Sequence, residues 1–173
     1  PWLLDKLLDC AAYAPTGVNN MSRRLAVIRD PKIMDDFRRR SAELLSAKKA
    51  EIPENLGWLA DLAEGWLSGG RDELFRSAPH LVVTSAPKDA PCPVQDCIIE
   101  MAYFDLLAQA HGVGTVWVGM VYWMLTALPE LRRLVGIPED HQLVYAMMFG
   151  MPEARYRRTV QRRPENIAFI DSL

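Results

Sequence analysis

The chain predicts a single domain that mixes helices with strands, and three observations carry that expectation. Its 173 residues can bury one substantial core but would be crowded as two domains. A composition of 50% hydrophobic and 24% charged residues is ordinary for a globular protein. From residue 79 onward, short continuous apolar runs alternate with helix-period segments, the rhythm of a sheet packed against helices.

Each element has its own signal. Leu3, Leu4, Leu7, Leu8, Ala11 and Ala12 recur at helical spacing, and Pro15 should stop that helix by biasing Ala14 away from the α region. Residues 25–28 form a short apolar run between Arg24 and Arg29 and read as a strand. Asp30 and Pro31 then offer an N-cap and a first helical residue for an amphipathic helix over residues 32–50, with Ile33, Phe37, Leu44 and Leu45 on its apolar side. Leu56, Leu59, Leu62, Ala63 and Trp66 predict a covering helix over residues 55–67, stopped by Gly69 and Gly70. Its tryptophans, Trp58 and Trp66, suit core or interface filling.

Residues 79–86 read as a buried strand, and Pro93 or Val94 opens a long helix running to about His111. Ile98, Met101, Ala102 and Leu106 circle much of that helix, which predicts a central rather than a superficial element. Gly112 is a natural stop, and residues 115–118 follow as a third strand. Two short helical pieces come next, around Met124 and over residues 128–134, broken at Pro129. Residues 142–149 form a continuous apolar strand ending at Gly150-Met151-Pro152. Beyond it lies a basic tail with Arg155, Arg157, Arg158, Arg162 and Arg163, then one more extended segment over residues 166–170.

Lys and Arg number 20 against 22 Asp and Glu, so no global charge favours nucleic acid or an anionic membrane. No apolar run has the length of a membrane span, and residues 1–6 lack the layout of a signal peptide, which leads to a cytoplasmic reading. Cys10, Cys92 and Cys97 are odd in number and sit near apolar segments, as reduced thiols would. With His80, His111 and His141 scattered singly, no metal-ligand spacing emerges, and His80, His111 and Cys97 read as structural. The chain starts at Pro1 rather than Met, which predicts that a natural N-terminal segment precedes it.

Three stretches carry potential chemistry. Ala14-Pro15-Thr16-Gly17-Val18-Asn19 is either a helix stop and turn or a ligand-facing loop; it holds no acid, base or thiol, only hydroxyl, amide and backbone groups around a Gly17 free to take positive φ. Residues 112–119 place three glycines in eight residues, either for a tight helix-to-strand turn or for close backbone approach by a ligand. Arg162-Arg163-Pro164 is either a solvated tail or a planar fork of donors for phosphate. Together they suit a planar ring bearing a phosphorylated side chain, as in flavin mononucleotide (FMN).

The ordered set Ala14-Pro15-Thr16-Gly17-x-Asn19, the Pro79 strand, the helix near Gln95-Asp96, Gly112-x-Gly114-Thr115-x-Trp117-x-Gly119, Leu134-x-Gly136-Ile137-Pro138, Gly150-x-Pro152 and Arg162-Arg163-Pro164 resembles the nitroreductase family of flavoenzymes. The match spans nearly the whole chain. Residues 145–161 also look like the branch often fused to an N-terminal ferredoxin-type iron–sulfur module, which would lie outside this chain. The resemblance implies an α+β nitroreductase-like fold over residues 1–173, one flavin-binding domain with a central, mostly antiparallel sheet flanked by helices, assembled as an intertwined homodimer. By the same analogy Thr16, Gly17, Asn19 and Met21 face one side of the FMN ring, Trp117, Val118 and Gly119 line the other, and Arg162 and Arg163 approach the phosphate. Two departures stand out. The arginine-rich run that family members commonly carry a dozen or more residues ahead of the loop would lie before the start of this sequence, and Asn19-Asn20-Met21-Ser22 replaces the usual Asn-x-Gln-Pro, so Met21 stands where a ring-holding Gln is common.

The implied activity is hydride transfer from NAD(P)H or another reductant, a ferredoxin-type donor included, through FMN to a small electron-poor acceptor such as a nitroaromatic or quinone. Catalysis would then need no nucleophile or general base from the chain. Alternatives are a reductive dehalogenase or ene-reductase of the same fold, a flavin-binding or flavin-processing protein without external turnover, and a non-catalytic dimeric module whose basic tail binds acidic partners.

Overall fold

Four strands form one sheet in the order β1-β2-β4-β3, with β1 at Arg24–Ile28, β2 at His80–Pro87, β3 at Gly114–Trp117 and β4 at His141–Gly150. This is seen in a computed structural model that describes residues 2–154, 157–158, 160–161 and 167–171. Every neighbouring pair is antiparallel. The two middle strands, β2 and β4, are the continuous apolar runs of the sequence, as expected where helices cover both faces.

Because side chains alternate across a strand, the two faces feed separate cores. Val82 and Met147 meet α1 (Trp2–Ala11) and α4 (Pro93–Ala110) through Leu7, Ala11, Met101, Phe104 and Ala108. On the other face Leu81, Val83, Ala146 and Met148 pack on α2 (Pro31–Ala47), α3 (Trp58–Leu67), α5 (Gly119–Ala127) and α6 (Pro129–Leu134). Met34, Leu45, Leu59, Phe75, Met124 and Leu131 fill that larger core.

Local chemistry accounts for the boundaries. Asp30 caps α2 by accepting from the Lys32 N–H at 2.8 Å, with Pro31 at the first turn. The helix ends at Ala47, short of residue 50, because the chain tightens into a 3-10 turn at Lys49–Glu51. A second such turn, Glu54–Leu56, takes the place of the first predicted turn of α3. Pro129 starts α6, and Gly112 leaves α4 at φ 75°, a conformation that favours glycine. Residues 167–170 are exposed and carry no regular structure. The three cysteines are free, and no helix among the described residues is long and apolar enough to cross a membrane.

The even apolarity of α4 has a specific outcome. Met101 and Phe104 are fully buried against the sheet, whereas Val94, Tyr103 and Leu106 stand 47%, 41% and 69% exposed. One chain covers only part of this helix.

Candidate functional site

The loop after α1 is built from the inside of the protein. Pro15 follows the helix as expected, and residues Gly17–Asn19 form one 3-10 turn. The left-handed conformation expected of Gly17 falls instead on Val18 and Asn19, at φ 48° and 58°. Gly17 is needed for another reason: a Cβ there would lie 2.5 Å from Cys92 Sγ and 2.8 Å from Cys92 Cβ, so the loop backbone sits directly on the start of α4. The Gly17 N–H donates to Asp96 Oδ1 at 2.8 Å, a bond strengthened by the acceptor's charge. Thr16 and Gly17 are half-buried, while Asn19 and Met21 are exposed.

An arginine that the motif reading passed over organises the rest. Arg23 donates through Nη2 to the carbonyls of Ala12 and Ala14 at 2.7 and 3.3 Å, and through Nη1 to Met21 Sδ at 3.4 Å. Its Nε faces Glu100 Oε2 at 3.1 Å in an ion pair whose side chains are only 3% and 7% exposed. Burial raises the Glu100 carboxyl above its usual range, with the facing Arg23 opposing that shift. Asp96 and Glu100 are one turn apart on the buried stripe of α4, so one helix face holds the loop at two points. The signal was available: two carboxylates interrupt the stripe Cys97, Met101, Phe104, Ala108, where a buried acid requires a partner.

The second set of predicted residues lies where β3 passes into α5. Asp105 on α4 accepts from Thr115 Oγ1, from Trp117 Nε1 at 3.0 Å and from Gln109 Nε2 at 2.8 Å. Burial works to raise its pKa, but these three donors outweigh it and hold the carboxyl below 3.8. Trp117 leans on Tyr145 with centroids 5.6 Å apart, and Tyr145 stacks on Tyr122 at 5.4 Å. A Cβ on Gly119 would meet Tyr145 Oη at 3.3 Å, so the glycine admits that hydroxyl. Val118, read as a lining residue, is 3% exposed with its side chain in the core. Its N–H donates to the Ala146 carbonyl at 3.0 Å, and its own carbonyl accepts from Tyr122 at 3.3 Å. The donors available at this wall are therefore the N–H groups of the first turn of α5, which lack intrahelical partners.

Asn19 and Met21 line a cleft of about 590 Å³ together with Asp9, Tyr13 and Pro15, and Trp117, Val118 and Gly119 are not on it. The two sets are joined through α4 and β4: Asp96 and Cys97 are adjacent, and Tyr145 packs on the cluster of Ala86, Cys97 and Val144. Arg162 and Arg163 lie outside the described residues. His80 stacks on Phe149 at 5.0 Å with its pKa lowered by burial, His111 Nδ1 pairs with the Leu107 carbonyl at 2.8 Å, and burial pushes the Cys97 thiol up to about 11. Uncharged hydroxyl, amide and backbone groups on a rigid frame fit a flat, polar, neutral ring such as an isoalloxazine.

The sequence description of the nitroreductase family matches residues 2–151. A protein of Archaeoglobus fulgidus, provisionally named NADH dehydrogenase/NAD(P)H nitroreductase, is 26% identical over 154 residues, covering 87% of this chain and 72% of its own. The iodotyrosine deiodinase of Thermotoga neapolitana is 23% identical over 151 residues, covering 84% and 74%. Among solved structures, an FMN-bound nitroreductase from Bacteroides fragilis superposes with a TM-score of 0.71 at 18% identity, over 98% of this chain and 87% of that one. That likeness shows the fold.

Proposed function

Because the chain belongs to the nitroreductase family, we propose that it is an FMN-dependent oxidoreductase that passes hydride from NAD(P)H, or another reductant, to a small electron-poor acceptor such as a nitroaromatic or a quinone. The observation that carries this reading is the loop at residues 16–21. Its scaffold is fixed from within by Asp96 and the Arg23–Glu100 pair, while Asn19 and Met21 face outward. A frame so held favours binding a preformed ligand over moving protons.

FMN supplies the redox chemistry when bound, taking up hydride from one substrate and returning reducing equivalents to another. The chain binds and orients. Thr16 and Asn19 offer donors and acceptors to the ring's polar edge, and the first-turn N–H groups of α5 offer donors to its carbonyl oxygens. Met21 brings a polarizable thioether to the same edge in place of an amide, which loosens that hold. Arg162 and Arg163 supply charge for the phosphate. The exposed apolar residues of α4, Val94, Tyr103 and Leu106, suit burial in a homodimer that would bring a second chain's walls to the cofactor.

Purified protein should be yellow and bleach on anaerobic addition of NADH or NADPH. Colourless protein that refuses added FMN sinks the proposal; yellow protein that neither nicotinamide bleaches favours a ferredoxin-type reductant or a flavin-binding protein without turnover. The deiodinase relative favours a second reading, reductive dehalogenation at the same flavin. Iodide release from iodotyrosine by the reduced protein would select it, and reduction of nitroaromatics without iodide release would dismiss it.

A further inference from the structure

The geometry points to Asp105 as a positioning residue that holds the Trp117 side of the site, an assignment resting on the reading that Trp117 and Gly119 face FMN. Among the described residues β3 is an edge strand, paired only with β4, and it is four residues long. Ladder hydrogen bonds on one side leave such a strand free to twist, so its orientation depends on side-chain anchors. Thr115 and Trp117 project from one face of β3, and both donate to the same carboxylate on α4. Gln109, one turn along α4 from Asp105, adds a third donor that orients that carboxylate.

From Trp117 the hold passes onward by ring contact. Its indole leans on Tyr145, Tyr145 stacks on Tyr122 of α5, and the Tyr145 hydroxyl occupies the space beside Gly119 that a side chain would need. A charged, half-buried acceptor thereby sets where the α5 first turn lies. An indole left without its acceptor can turn about both of its side-chain bonds, and the Tyr145 row then loses its edge support. Asp105 touches neither ring nor acceptor in this arrangement; it acts through Trp117.

The test uses the full chain as wild type, Asp105→Asn, Trp117→Phe and the double variant, with three readouts: FMN affinity, visible circular dichroism of bound flavin, and exchange of the Trp117 indole proton by NMR. Asp105→Asn should speed indole exchange and weaken FMN binding by about tenfold, the scale of one hydrogen bond to a charged group, with an altered flavin dichroism. Trp117→Phe should weaken FMN similarly, and adding Asp105→Asn to it should change affinity by less than about twofold, since both remove one interaction. Wild-type affinity and dichroism in Asp105→Asn, or effects that multiply in the double variant, overturn the assignment. Should Asp105→Asn not fold, unchanged flavin dichroism in Trp117→Phe overturns it instead. Wild-type protein that binds no FMN fails the flavin reading, while indole exchange still reports whether Asp105 holds Trp117.

Discussion

Replacing Gly17 with alanine puts a methyl carbon 2.5 Å from Cys92 Sγ and 2.8 Å from Cys92 Cβ. The sulfur could rotate away, but the Cβ is fixed to the backbone at the start of α4, so the loop must move. Lifting it lengthens or breaks the 2.8 Å bond from the Gly17 N–H to Asp96, whose carboxylate is buried. Overpacking costs about 1–3 kcal/mol and a bond to a charged group about 1.5–3 kcal/mol; since one movement relieves the first by sacrificing the second, about 2–4 kcal/mol is the expected loss. For a chain of this size that is a fall in Tm of roughly 5–15 °C, measurable by scanning calorimetry. Cys92→Gly removes both clashing atoms, so Gly17→Ala in that background should lose much less than in the wild type. A Gly17→Ala variant that melts like the wild type and binds FMN equally well would refute the placement of the loop on α4.

Arg23→Ala leaves Glu100 buried without its cation and should cost about 3–5 kcal/mol in urea unfolding, with Glu100→Gln in the same chain recovering part of it; a loss under about 1 kcal/mol would mean the pair does not anchor the loop. Asp105 is held below its ordinary 3.8, so its contribution is present above that value and lost as pH falls through the folded one. The stability gap between wild type and Asp105→Asn should therefore stay level from neutrality to about pH 4 and narrow below it; a gap unchanged down to pH 2 would contradict the three-donor arrangement. Arg162→Ala with Arg163→Ala should weaken FMN binding by about 3–5 kcal/mol, read by fluorescence titration, if both make charge-assisted phosphate contacts; equal affinity would make them a solvated tail.

The features legible in the sequence are those whose causes are local. The Asp30-Pro31 helix start, the helix stop at Pro15 and the apolar runs of β2 and β4 each depend on residues within a few positions of one another. What escaped depends on partners far along the chain. Gly17 reads, beside its own neighbours, as a residue freed for positive φ, but its requirement comes from Cys92, which no turn rule connects to it. Val118 stands inside a glycine-rich motif, yet the register of β3 on β4 sends it into the core and commits its N–H to Ala146. Arg23 carries no motif at all. Its importance follows from Glu100, on an element whose packing only the fold reveals.

Two of those missed partners belong to α4, Cys92 at its N-cap and Glu100 within it, on a helix that is apolar nearly all round yet punctuated by acids. Asp96 and Glu100, one turn apart, hold the loop that carries Thr16 to Met21. Asp105, five residues beyond Glu100, is about 140° further round the axis and faces β3 instead. From Asp96 to Asp105 the helix rises about 14 Å, so the separation of the two walls is set by a single rigid element rather than by two loops adjusting independently. The remaining surface of α4 leaves Val94, Tyr103 and Leu106 exposed. A substitution that bends α4 should accordingly disturb both walls together, whereas substitutions at Asp96 or Asp105 should disturb one each.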